Sequence, residues 1–283
     1  MLVGRIREGL GRLAFAAGPL VHVRPFLGPT YSWVAACPRG ACLPTPTAVR
    51  LTLKWIGDLI LSHGMRSFIP VQRDEGELFR MDAKAEGDLI VLGGWTTGPS
   101  PSTWESKWFS QVLKREEVPW AFAKGEPFRV VASLELLAVV FGLVLLVDTA
   151  GRDGGRLGRV AFSVGTDNQG NSGLVRRWMT TKWPLCAVAM ELSSRLTALG
   201  LDLQLDWRPR TTNVEADALT NQDFSGFDLA KRVNSESTLG ELKVMNELLS
   251  LGSSFESSKR RAVEAFAKSE APRRVSLRLA DPW

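Results

Sequence analysis

Four carboxylates stand where the neighbouring residues are apolar or where a strand should end. Asp82 lies inside Phe79-Arg80-Met81-Asp82-Ala83-Lys84, and Glu135 opens an otherwise greasy helix, Ser133-Leu134-Glu135-Leu136-Leu137-Ala138. Asp167 closes the run Phe162-Ser163-Val164-Gly165-Thr166-Asp167-Asn168, and Asp217 interrupts Val214-Glu215-Ala216-Asp217-Ala218-Leu219. A partly buried carboxylate needs a counter-charge, because desolvating it alone costs several kcal/mol. Several of them converging on one sheet face repel one another unless cations neutralise them. Magnesium suits oxygen ligands and keeps positions open for water and phosphate. Two such ions about 3.5–4 Å apart clamp the attacking and leaving oxygens of a phosphodiester. That chemistry needs neither histidine nor cysteine, and the only histidines here are His22 and His63. Each carboxylate also has an ordinary reading. Asp82 and Asp167-Asn168 can be turn residues, Glu135 a first-turn charge on the helix macrodipole, and Asp217 an exposed helical side chain. The chemical reading rests on the four together, in this order.

The elements that must hold them follow from periodicity. Leu78–Ala83 and Leu89–Trp95 read as two strands of a hairpin around Ala85-Glu86-Gly87-Asp88, and a third strand falls within Trp104–Phe122. Ser133–Val147 reads as a nearly all-apolar helix with Ser133 as its N-cap. Gly151–Gly158 reads as a loop, Val160–Gly165 as a strand, and a helix starts near Gly170. Pro184–Leu199 is a helix ended by Gly200, Leu201–Trp207 an alternating strand, and Val214–Thr220 a short helix. This order predicts an α/β domain with a mixed sheet. Ahead of it, Ile6–Ala17 and Ala48–Leu61 show helical spacing, joined by a stiff Pro- and Gly-rich connector from Arg24 to Pro46. Trp55 reads as a core anchor. Beyond Ala230 the chain is helical in character, and its last part, with Lys259-Arg260-Arg261, Arg273-Arg274 and Arg278, reads as a loosely packed basic tail.

Asp82 with its hairpin, Glu135 on the next helix, Asp167 after a fourth strand and Asn213-x-x-Ala216-Asp217-x-Leu219 together resemble ribonuclease H. The similarity covers about residues 76–225 and is nearest to the ribonuclease H domains of DIRS-like and Ty3-like retroelement reverse transcriptases. It implies a ribonuclease H-like fold with a five-stranded mixed sheet flanked by helices. It also implies two magnesium ions (manganese as substitute) on Asp82, Glu135, Asp167 and Asp217, and the RNA strand of an RNA–DNA hybrid as substrate. Arg24-Pro25-Phe26-Leu27 and Leu53-Lys54-Trp55 are similar to the thumb and connection region that precedes ribonuclease H in DIRS-like enzymes. The organisation expected is a helical thumb- or connection-like segment (1–75), a ribonuclease H-like domain (76–230) and a helical, basic C-terminal extension (231–283). A single tyrosine, Tyr31, and no Asp-Asp pair leave no room for a Tyr-x-Asp-Asp polymerase site. The chain therefore reads as a fragment, a split protein or a domesticated remnant, its partners including a separate polymerase subunit or a larger assembly. Where many ribonucleases H carry a histidine, six residues before the motif asparagine, this chain has Trp207.

Two other readings stay open. An integrase or transposase shares the fold, but its decisive glutamate comes last in the chain, whereas Glu135 comes second. A non-catalytic module kept for nucleic-acid binding or assembly is the other. Lysine plus arginine exceed aspartate plus glutamate, 35 against 30, which fits a polyanionic partner without demanding one. Candidate nucleic-acid contacts are Asn168, Arg176, Arg177, Lys182, Arg208 and Arg210. Trp178 and Trp183 are either stacking platforms among them or core residues. Cys37, Cys42 and Cys186 make no disulfide framework and no zinc spacing. The apolar run Leu136–Val147 falls short of the roughly 20 residues of a membrane span, and the start does not read as a secretory signal. An intracellular protein, nuclear or cytoplasmic and away from membranes, is expected.

Overall fold

The computed structural model describes residues 3–38, 40–63, 72–98, 102–147 and 160–269. Five strands form one sheet: β1 (Gln72–Glu86), β2 (Leu89–Thr96), β3 (Trp108–Leu113), β4 (Val160–Thr166) and β5 (Leu201–Trp207). Their order is β3-β2-β1-β4-β5. The first three are antiparallel neighbours, while β4 lies parallel to both β1 and β5. Gly87 turns the first hairpin with φ +57°, a backbone conformation that glycine adopts without a Cβ penalty.

Helices cover both faces. Helix α4 (Val131–Leu145) packs on β1 and β2 and against α6 (Leu185–Leu199). Every residue of α4 from Ser133 to Leu143 is buried, and apart from Ser133 and Glu135 the span is apolar, as expected of an enclosed helix. With the preceding 3₁₀ turn it makes a continuous stretch, Pro127–Leu145, long and apolar enough to cross a membrane. Its burial against the sheet accounts for that composition here. Ser133 is not the N-cap: Val130 holds that position with no side-chain cap, and Ser133 lies buried within the first turn. On the opposite face α7 (Val214–Thr220) sits over β1, β2 and β3. It is anchored by a small cluster of Trp95, Trp108, Ala216, Leu219 and Phe227. Helix α5 (Gln169–Arg177) packs on β5 and touches α4.

The Pro- and Gly-rich stretch after α1 (Val3–Ala16) is more ordered than a connector. It forms a 3₁₀ turn, Val21–Leu27, and a second helix, α2 (Gly28–Ala36), before α3 (Thr47–His63). Pro29 falls in the first turn of α2, where its missing N–H costs nothing. Val23, Phe26, Leu27 and Trp33 are buried, and Trp55 on α3 meets Phe26 edge-on at 6.1 Å. Gly28 is needed for this packing, because a Cβ there would lie 2.3 Å from the Thr180 carbonyl oxygen. His22 binds Asp202 at 2.8 Å, and Ser193 donates to the His22 carbonyl at 2.5 Å. One continuous apolar core therefore joins these helices to α6 and the sheet.

After α7 the chain runs along the outer edge of β3. The Val233 N–H donates to the Trp108 carbonyl at 2.8 Å, and the Arg232 guanidinium donates to the Ser110 carbonyl at 3.0 Å while lying over the Trp108 ring. Helices α8 (Lys243–Ser250) and α9 (Gly252–Ser269) follow. Residues 259–269, read from the sequence as loose tail, belong to α9, with Ala262 buried and Lys259 paired to Glu256 at 3.1 Å. Arg273, Arg274, Arg278 and the loop read at Gly151–Gly158 lie outside the described residues. Trp178 is buried against His22, and Trp183 packs on Phe255. Both tryptophans are packing residues.

Candidate metal centre

Asp82 occupies the inner half of β1, opposite Gly93 of β2. Side chains alternate along a strand. Phe79 and Met81 therefore meet α4 near Gly142, while Asp82 faces α7 and accepts a 2.8 Å hydrogen bond from the Thr220 hydroxyl. Glu135 enters from α4 in the other layer, and Asp167 is the first residue after β4. Oxygen atoms of Asp82, Glu135 and Asp167 come within 4.8 Å of one another. Asp82 and Glu135 are 5% and 6% exposed, and Asp167 is half-buried.

Asp217 stands at the rim. It lines the same cavity of about 540 Å³ but lies outside the tight triad. Asn221 donates to its Oδ2 at 2.9 Å, and Arg210 approaches its Oδ1 at 3.3 Å. Asn213, buried ahead of α7, donates to the Met81 carbonyl at 3.1 Å and so ties that helix to β1 beside Asp82. At the other side, the indole N–H of Trp207 donates to the Asp167 carbonyl at 3.1 Å. Asn168 caps α5, its side chain accepting from the Asn171 N–H at 3.0 Å, while the Asn171 side chain holds the Ala132 carbonyl at the start of α4.

The electrostatics are those of an anionic cluster that Arg210 offsets only in part. Burial pushes Asp82 up to about 6, with Asp167 and Asp217 adding to the rise and the Thr220 hydrogen bond opposing it. Burial also holds Glu135 well above the ordinary range, reinforced by Asp82 and Asp167 and opposed by Arg210. Asp167 is raised by burial too, against the pull of Arg210. A second buried glutamate shows what a structural carboxylate looks like in this fold. Glu191 receives Arg195 at 2.7 Å and the Met245 backbone N–H at 3.0 Å, so both its oxygens are satisfied. Glu135 Oε2 is buried with no hydrogen-bond partner among the described residues. A buried polar atom left unpaired is costly, and an oxygen-rich cation site is the arrangement that relieves it. The donor set is all oxygen, which suits magnesium or manganese.

Of the candidate nucleic-acid contacts, Arg210 faces the carboxylates, and Arg208 lies 3.4 Å from Glu77. Arg176 is exposed on α5, Arg177 bonds back to the Gly173 carbonyl of its own helix, and Lys182 is exposed. The bond from Thr220 to Asp82 and the indole clamp on Asp167 are not visible in residue spacing. Only the position of Thr220, one helical turn after Asp217, hints at the first.

No protein-family model matches this chain. No curated protein matches it either. Among solved structures it is similar to RNase H1 from the halophilic archaeon Halobacterium salinarum NRC-1, at 15% identity and a TM-score of 0.33, over 52% of this chain and 96% of that one. It is also similar to LC11-RNase H1, isolated from compost by a metagenomic approach, at 16% identity and a TM-score of 0.36, over 52% of this chain and 94% of that one. The fold rests on the strand order, the strand directions and the helices on both faces, not on these overlays. It is ribonuclease H-like.

Proposed function

We propose that this chain is a metal-dependent endonuclease that cuts the RNA strand of RNA–DNA hybrids. The observation that carries the reading is the contrast between Glu191, buried and fully satisfied, and Glu135, equally buried with one oxygen left open beside Asp82 and Asp167. In this reading Asp82, Glu135, Asp167 and Asp217 hold two divalent ions. When bound, such ions supply an activated water and neutralise charge on a phosphodiester. Thr220 fixes the rotamer of Asp82, Asn221 that of Asp217, and the cavity leaves room for a strand to reach them. Arg210 supplies a phosphate contact at this opening, and Asn168, Arg176, Arg177, Lys182 and Arg208 are further candidates for contacts along the bound strand.

The resemblance of the motif residues further supports a ribonuclease H domain of retroelement descent. The preceding helices would be its connection-like segment, and the chain would work beside a separate polymerase subunit or in a larger assembly. The test is cleavage of a hybrid labelled on its RNA strand. Cutting is expected with magnesium or manganese, none with EDTA, and none above background for Asp82→Asn or Asp167→Asn, both still folded by circular dichroism. Full activity in both variants would overturn the site assignment. Tight hybrid binding without cutting by the wild-type chain would favour a binding module instead.

A further inference from the structure

A second cavity, of about 490 Å³, lies on the far side of Asp167 between α5 and the end of β5. Its walls include Gln169, Arg176, Asp206, Trp207 and Arg208, with Gly173 keeping one wall free of a side chain. Trp207 is 48% exposed, so part of its aromatic surface is open to the cavity. The exposure is not a search for a polar partner, because the indole N–H is already committed to the Asp167 carbonyl. That bond fixes the ring, so an open aromatic face is held rigid beside a metal-ligand candidate. Two guanidinium groups, Arg176 and Arg208, and one carboxylate, Asp206, line the cavity, with Arg208 Nε 3.4 Å from Glu77.

We propose that this cavity is a nucleotide subsite for the strand entering the metal centre: a base stacks on Trp207 while Arg176 and Arg208 meet its phosphates. The assignment rests on the nuclease reading for the identity of the strand, but its chemistry is separate from cutting. A fixed aromatic face next to cations suits single nucleotides without sequence readout, since every base presents a π-face. A preorganised platform also avoids the entropy of ordering a free side chain on binding.

The experiment is a fluorescence-anisotropy titration of a labelled RNA–DNA hybrid by the full chain in EDTA, where no cleavage interferes. Trp207→Ala is expected to weaken binding about 5- to 100-fold, in the range of one lost base stack. Trp207→Phe, which keeps a ring and loses the N–H, should stay within about threefold of wild type if stacking is what the residue supplies. Arg176→Gln, on an exposed helical face, should lower the slope of log affinity against log salt by about one. Unchanged binding in Trp207→Ala overturns the subsite. So does Trp207→Phe binding as weakly as Trp207→Ala, which would make the hydrogen bond to Asp167 the whole of its role. Binding that depends on Trp207 in a chain that never cuts upholds the subsite and overturns the nuclease reading instead.

Discussion

Glu135 and Asp82 are held in a state that the metal-free protein pays for. Burial raises both, Asp82 to about 6 against an ordinary 3.8. A carboxyl whose folded value lies above its unfolded one stabilises the fold below the unfolded value and loses that contribution as pH rises through the folded one. The relevant window for Asp82 is therefore about pH 4 to just above 6. In EDTA at pH 7.5, Asp82→Asn should be more stable than wild type by roughly 1–3 kcal/mol, and the gap should close at pH 4. Adding magnesium should stabilise wild type and leave the variant nearly unmoved, because ligand binding to the native state alone raises its stability. Parallel urea melts of the two proteins at the two pH values check this. A wild-type chain that matches Asp82→Asn under all conditions would mean the cluster is better compensated than its geometry allows. The four carboxylates are legible in the sequence because an acidic residue among apolar ones is anomalous by type alone. Thr220, Asn221 and the Trp207 clamp are not, since each acts through a register that exists only once β1, α7 and β5 are assembled.

At the scale of elements, the distance between α7 and β2 sets the distance between Asp82 and Asp217. That spacing is governed by Gly93, the partner of Asp82 across the hairpin. A Cβ there would lie 2.9 Å from Leu219 Cβ and 3.1 Å from the Thr220 backbone nitrogen, contacts that no side-chain rotation relieves. Gly93→Ala should cost about 1–3 kcal/mol through overpacking and lift Thr220 and Asp217 away from the triad. Hybrid cleavage should fall by more than the loss of folded protein explains. The control is Gly57→Ala on α3, where nothing lies within 4 Å and helix propensity predicts a gain of about 0.5–1 kcal/mol. Equal activity in both variants would remove α7 from any positioning role. Most elements follow from periodicity, but the boundaries of α4 and β1 do not. Val131 opens α4 two residues ahead of Ser133, directly after the 3₁₀ turn Pro127–Val130 and with no capping side chain.

For the molecule as a whole, the helices ahead of the boundary expected near residue 75 share an apolar core with the α/β portion. The turn at Val21–Leu27 inserts Val23, Phe26 and Leu27 into the core shared with α6, and His22 reaches Asp202 on β5. A chain starting at residue 72 should expose that face and melt at least roughly 10 °C lower, or aggregate, since several kcal/mol of apolar burial are lost. An unchanged melting temperature by calorimetry would instead make the α/β portion an autonomous domain. In the sequence the proline and glycine of the Arg24–Pro46 stretch read as breakers, whereas Pro29 starts a helix and Gly28 permits a close backbone approach.

The segment laid along β3 has a bearing on how this chain behaves in a crowded solution. Strand edges recruit other strands through their free backbone groups, and β3 is the outermost strand on its side. Two of its outward carbonyls, on Trp108 and Ser110, are already engaged by Val233 and Arg232. A passing strand would have to peel that segment away, together with an arginine seated on Trp108 and Phe224, before it could begin to pair. The stretch after the last motif residue thus guards the sheet against self-association, a task independent of any chemistry at the other end of the strands.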